Sequence, residues 1–260
     1  MLLTLLAPVL AASPAFLAVS APLWTLPSDG TANFLMLVRW LHFLAGITWV
    51  GLLYFFNLVN VPFMKEMDSV TKGKIIPSLL PRALWWFRWG AVVTVLMGLI
   101  YFESYARTDA HNGSAKHGLV MGSFFLIWTA VWASSFVLTC VIKIDKGPVL
   151  AVLVAIVVLL GCYCFLALNN HGWESNHTLA ISLGGGIGWV MMLNVWGVIW
   201  RFQKKIIAWT KANAANGTPI PDAAKALARQ AFLASRTNAW LSLPMLFLMG
   251  ASSHYPMLGR

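Results

Sequence analysis

Seven stretches of this chain are apolar over enough residues to cross a bilayer, and that limits the fold more than any other property of the sequence. They run approximately from Leu2 to Trp24, Ala32 to Val61, Trp85 to Phe102, Leu119 to Ile142, Val149 to Leu168, Leu179 to Trp200 and Phe232 to Ser252. About 20 apolar residues span the hydrocarbon layer as a helix, and a spanning segment must satisfy its backbone internally. With 59% hydrophobic and only 10% charged residues, the composition excludes an ordinary soluble domain. The expected fold is all-α, a polytopic membrane helix bundle of about seven transmembrane helices.

The first run ends in Ala-Val-Ser-Ala, as a signal peptide would, but it has no basic residue ahead of its apolar stretch. It reads as an uncleaved helix bent at Pro8 or Pro14. Residues 1–30 are therefore expected to form an extra N-terminal transmembrane helix, and residues 31–260 a membrane domain of six. The second run is longer than a crossing requires, so it tilts or projects. Thr218, Pro219, Pro221 and Asp222 suit a helix start, which places the beginning of the seventh helix outside the membrane.

Of the 18 Lys and Arg residues, 14 fall on one side when successive loops alternate, in the segments from Lys65 to Arg88, Lys143 to Lys146 and Arg201 to Arg236. Arg39, Arg107, Lys116 and Arg260 fall on the other. Under the positive-inside rule the N-terminus is cytoplasmic and the C-terminus periplasmic, in a multi-pass protein of the bacterial inner membrane. The net charge of +10 is then topology, and a nucleic-acid partner is not implied. Trp85, Trp86 and Trp89 beside Arg88, with Trp200 beside Arg201, fit an interfacial aromatic belt.

Five of the six histidines, His111, His117, His171, His177 and His254, fall outside the spans. His42 alone is within one, roughly 15 Å along its helix at 1.5 Å per residue. An ionisable group at that depth costs roughly 2.5 kcal/mol or more unless it is paired or used. Arg39, His42, Gly46, Trp49 and Leu53 are spaced three or four apart and share a helix face. The arrangement suits haem b: His42 as ligand to the haem iron, Arg39 meeting a propionate, and Gly46 leaving room for a flat macrocycle. Equally, His42 could bond to a neighbouring helix while Gly46 permits close packing. His117, His177 and His254 are candidates for a second axial ligand. The pairs His111 with His117 and His171 with His177 have metal-capable spacing but sit in loops, where a solvated role is commoner.

Other chemistry is thinner. Cys140, Cys162 and Cys164 form neither a disulfide framework nor a CxxCH, so covalent haem c is not expected. Gly184, Gly185, Gly186 and Gly188 lie inside an apolar span with no strand before them, which argues for close packing and against a nucleotide cofactor. Arg236, Asn238, Ser242, Pro244 and Asn194 could line a pocket for a polar heterocycle or join helices by hydrogen bonds. The acidic residues lie outside the spans, which disfavours carboxylate-driven hydrolysis and an intramembrane acid relay.

Several ordered segments carry a resemblance: Trp40 to Asn57 (WLHFLAGITWVGLLYFFN), Pro81 to Ala91 (PRALWWFRWGA), Asn194 to Trp200 (NVWGVIW), Ala231 to Asn238 (AFLASRTN), Pro244 to Met249 (PMLFLM), and Ser253-His254. Together, over roughly Asn33 to Tyr255, they resemble the membrane domain of the bacterial cytochrome c urate oxidases. His42, Arg82, Trp85, Arg88, Asn194, Trp196, Arg236, Asn238 and His254 match that pattern. The resemblance implies a multi-helix membrane domain in which urate is oxidised and electrons pass to a cytochrome c domain. Arg236, Asn238 and Arg88 would hold the purine anion. The chain departs from the family in ending at Arg260, where full-length members continue into the cytochrome, and in its extra first helix. A looser similarity links the His42 helix to other small bacterial membrane proteins that bind haem b.

Two functions follow, of different classes. The first is a urate-oxidising oxidoreductase that hands electrons to a separate periplasmic cytochrome c. The second is a non-catalytic accessory or structural subunit of a larger respiratory or photosynthetic membrane complex. A transporter finds no support, because paired inverted repeats are not evident.

Overall fold

The computed structural model describes residues 25–258 and is helical throughout its regular parts. The elements are α1 (Gly30–Tyr54), α2 (Val61–Glu66), α3 (Ser69–Asn112), α4 (His117–Phe136), α5 (Gly147–Asn169), α6 (Asn176–Asn194), α7 (Arg201–Asn216) and α8 (Ala223–His254). Three π-helical segments, π1 (Phe55–Asn60), π2 (Val137–Val141) and π3 (Val195–Trp200), follow α1, α4 and α6 without a break.

Among the described residues, five helices are long and apolar enough to cross a membrane: Gly30–Glu66, Ser69–Asn112, His117–Val141, Gly147–Asn169 and Asn176–Asn216. They contain the second to sixth apolar runs. The seventh run lies inside α8, which is 32 residues long but diluted by Asn238, Ser242, Ser252 and Ser253. The first run, and with it the expected extra helix, lies outside the described residues.

The helices outrun the apolar segments from which they were read. α3 begins at Ser69, well before Trp85, and its 44 residues measure roughly 66 Å at 1.5 Å per residue, about twice the hydrocarbon thickness. Lys72, Lys74, Pro77 and Pro81 break the apolar pattern without breaking the helix. Asp68 caps its start, accepting from the amides of Val70 and Thr71. The Thr71 hydroxyl donates to the same carboxylate at 2.6 Å and holds Asp68 below the usual carboxylate range. Because the folded value is depressed, this cap supports the helix above the ordinary range and is lost as the pH falls through the folded one. α8 starts at Ala223, ahead of the apolar run, as Pro219 and Pro221 implied.

The chain divides into two units, Met1–Leu37 and Val38–Arg260. In the described part of the first, Asp29 accepts from the Thr31 amide at 2.8 Å and Asn33 donates to the Pro27 carbonyl at 2.7 Å, which fixes the entry into α1. The second unit holds the bundle. Its centre is α6, whose apolar window is 72% buried, whereas the other four spans are 17–28% buried. A helix this enclosed needs small residues where neighbours cross it. An ideal Cβ on Gly186 would fall 1.9 Å from Trp128 Cε2, so the fully buried indole of α4 occupies the space the glycine leaves. Gly184 likewise admits Leu248 and the Met245 carbonyl of α8.

Gly186→Ala should therefore lower stability by about 1–3 kcal/mol, as overpacking does. Gly188→Ala should not, since no atom stands within 4 Å of an added Cβ there. Thermal unfolding of both variants in one detergent tests the pair; equal midpoints would show that Trp128 does not rely on Gly186.

Candidate functional site

His42 sits where α1 crosses α3. Its Nδ1 is 2.8 Å from the Thr94 carbonyl oxygen, and because a carbonyl only accepts, Nδ1 carries the proton and Nε2 keeps its lone pair. Nε2 makes no hydrogen bond among the described residues. The crossing follows a stripe of small residues on α3. Gly90 approaches the Trp49 backbone and the Ala45 carbonyl, Thr94 lies 3.7 Å from an added Gly46 Cβ, and Gly98 faces the imidazole, its ideal Cβ 3.0 Å from Cε1. The close approach that lets the ring in belongs to Gly98, on the other helix, more than to Gly46. Arg39, one turn along α1, is exposed and stands 5.7 Å from the centre of the Phe43 ring.

The remaining histidines do not gather around His42. Nε2 of His117 pairs with Glu103 Oε2 at 2.7 Å, and Arg107 holds the other oxygen of the same carboxylate at 2.5 Å. His254 ends α8 and is exposed. His171 lies 3.7 Å from the buried Glu174. Nδ1 of His177 is 3.2 Å from Ser253 Oγ, its ring packs on Tyr105 at 4.0 Å between centres, and its Nε2 is enclosed without a partner. No group of three or more His, Cys, Asp or Glu able to hold a metal is found among the described residues. Of the two loop histidine pairs, His117, His171 and His177 are engaged separately, in ion-pair and hydrogen-bond contacts at the helix ends, and His111 is exposed near the end of α3.

Arg236, Asn238 and Arg88 are held by three different sets of partners. Residues 236 and 238 are two apart, so roughly 200° separates them around α8. Asn238 is buried: its Nδ2 donates to the Met191 carbonyl at 2.9 Å, and its Oδ1 accepts from Asn194 at 3.0 Å. Arg236 faces α5, in a groove with Gly147, Pro148 and Trp240. Arg88 stacks its guanidinium on Trp200 at 3.9 Å and borders Trp196 at 5.7 Å. Its Nε and the indole N–H of Trp196 are both enclosed without partners. The network reading of Asn194 and Asn238 thus has direct geometric support.

Sequence reasoning missed the residues that complete these contacts. Thr94 and Gly98 face His42, and the Gly90, Thr94, Gly98 spacing of four was the available signal. Asn57 of π1 donates to Ser235 Oγ at 2.9 Å, and the Tyr54 hydroxyl is 2.9 Å from Ser242 Oγ; both tie the α1 end to α8. Neither pair is close in sequence, so no local pattern announces it.

Residues 67–259 match the family described as Urate oxidase N-terminal. The chain belongs to that family. No curated protein and no solved structure matches it. The membrane-domain relationship inferred from the ordered segments is thereby shown for α3 to α8. The matched residues begin after α1, so the reading of His42 rests on geometry and on the residues around it.

The Asn194 and Asn238 side chains should be energetically coupled. Asn238→Ala leaves Asn194 Nδ2 without its partner and removes the second donor from the Met191 carbonyl, which keeps the Val195 amide, a cost of about 1–3 kcal/mol. A double-mutant cycle with Asn194→Ala should give a coupling of about 0.6 kcal/mol, rising to about 1.7 if the site stays dry. Strict additivity in reversible unfolding would contradict the network.

Proposed function

We propose that this urate oxidase family chain is a redox subunit of the membrane in which His42 holds haem b and from which electrons pass to a separate cytochrome c. The observation that carries the reading is the hydrogen bond from Nδ1 to the Thr94 carbonyl. A metal-ligating histidine commonly donates its other ring N–H to a carbonyl, which sets the tautomer, fixes the ring and raises the basicity of the free nitrogen. The donor chemistry at this crossing fits a group that would be held through Nε2 of His42. Arg39 supplies a cation one turn away, suited to a propionate.

Bound there, haem would supply one-electron chemistry. The chain's own residues would do the rest: Thr94 holds the tautomer, and Gly98 leaves the space that keeps the ring in register. Glu103 already occupies Nε2 of His117, so His42 and not His117 would hold the group. The positive-inside asymmetry directs the histidine end toward a periplasmic electron carrier, and the bilayer in question would be the bacterial inner membrane.

The different partners that hold Arg88, Arg236 and Asn238 favour a second reading, an accessory subunit of a larger redox complex in which urate chemistry is not performed by these three residues. That role predicts stoichiometric co-purification with a multi-subunit complex under mild solubilisation.

The purified chain should give a b-type pyridine haemochrome near one haem per chain, and Thr94→Pro should be avoided in favour of Gly98→Ala, which presses on the imidazole at 3.0 Å. Gly98→Ala is expected to shift or weaken the reduced-minus-oxidised spectrum while the bundle still folds. Haem-free wild-type protein, after expression with adequate haem supply, would refute the ligation.

A further inference from the structure

The groove between α5 and α8 has a composition that the redox reading leaves unused. It encloses about 630 Å³. Its walls are Pro148, Ala151 and Ala155 on α5, and Trp240, Leu241 and Pro244 on α8. Pro148, Ala151, Ala155 and Trp240 are exposed, so the groove opens to whatever surrounds the bundle. α5 is the most apolar of the spans, with a mean hydropathy of 3.0, and its outer residues Val152, Ile156 and Leu159 are exposed as well. The surroundings of this face are hydrocarbon.

One end of the groove is cationic. Arg229 and Arg236 both line it, and their guanidinium carbons lie 5.7 and 5.3 Å from the centre of the same Phe232 ring. Arg229 is partly neutralised: Nε donates to Asp145 Oδ1 at 2.7 Å, and an Nη donates to the Asp145 carbonyl at 2.6 Å. Arg236 forms no salt bridge among the described residues. Lys143 and Lys146, exposed in the adjoining loop, add positive charge. From Arg229 to Pro244 the groove follows α8 for 15 residues, roughly 22 Å at 1.5 Å per residue. That is the reach of a headgroup together with one leaflet of a bilayer about 30 Å thick.

We infer that this groove is a binding site for an anionic phospholipid, whose phosphodiester meets Arg236 and Arg229 while an acyl chain lies along Ala151, Ala155 and Pro244. Two guanidinium groups around one ring match a phosphate's several acceptors, and basic pockets between membrane helices on the positively charged side suit anionic headgroups. A free inorganic anion would use the arginines but leave the apolar length of the groove without a role. A zwitterionic lipid would bring its own cation to a site already positive.

The test uses the whole chain in mild detergent and follows its thermal unfolding, since a ligand that binds only the folded state raises the midpoint by mass action. Titration with phosphatidylglycerol should raise it at concentrations at least tenfold below those needed with phosphatidylcholine of the same acyl chains, and inorganic phosphate should have no effect. Arg236→Gln should cost about tenfold in apparent affinity for phosphatidylglycerol while leaving the midpoint in phosphatidylcholine unchanged. Ala151→Phe, which fills the groove and leaves the arginines in place, should abolish the preference; it decides the matter alone if Arg236→Gln does not fold. Equal responses to the two lipids, an unchanged preference in Ala151→Phe, or a shift reproduced by phosphate would overturn the inference.

Discussion

The bundle depends on how closely neighbouring helices approach α6. In hydrocarbon, apolar side chains gain nothing by leaving lipid for protein, so helices associate through tight packing and through polar groups that have no other partner. α6 meets both conditions. Gly186 makes room for the indole of Trp128, Gly184 lets α8 come close, and Asn194 bonds to Asn238 at the end of the same helix. Its enclosure leaves α1, α3, α4, α5 and α8 to present their remaining faces outward, and within the apolar runs those faces carry exposed large hydrophobic residues such as Ile47, Leu96, Leu126, Leu159 and Phe247.

The same rule explains the crossing of α1 with α3. An imidazole in this position must have a partner, and Thr94 provides a backbone carbonyl for it. The Gly90, Thr94, Gly98 stripe brings that carbonyl within reach. One ring nitrogen is thereby used and the other is left with its lone pair, which is the condition an axial ligand requires. The π segments continue α1, α4 and α6 in the same way at the end opposite the histidines, where π1 carries Asn57 into contact with Ser235. Single-turn π segments are frequent at functional sites, and here each accompanies a change from membrane span to basic end.

Much of the fold was legible because length and hydropathy decide which segments can cross a bilayer. Five apolar runs correspond to five long helices, and Gly184 and Gly186 of α6 were readable as packing positions, whereas Gly188 has no neighbour within 4 Å of an added Cβ. The excess length of α3 was not: Lys72, Lys74, Pro77 and Pro81 lower the apparent periodicity, although a helix beyond the membrane has no need to be apolar. The candidate site was legible in one residue and not in its surroundings. His42 is conspicuous by its cost in hydrocarbon, whereas Thr94 contributes a carbonyl that any residue could supply, and Gly98 contributes the absence of a side chain. Arg236 and Asn238 looked like one site because they are neighbours in sequence; the helical repeat sends them to different faces.

Family membership covers residues 67–259 and gives the bundle its relatives; the redox role proposed for α1 must stand on His42 itself. The most direct measurement is chemical rescue. His42→Gly, purified with the bundle intact by circular dichroism, should bind no haem on its own and regain a b-type reduced-minus-oxidised spectrum when haem and exogenous imidazole are supplied together. Haem binding in the variant at the wild-type level without imidazole, or no spectrum in the wild type under the same conditions, would contradict the assignment of His42 as the ligand.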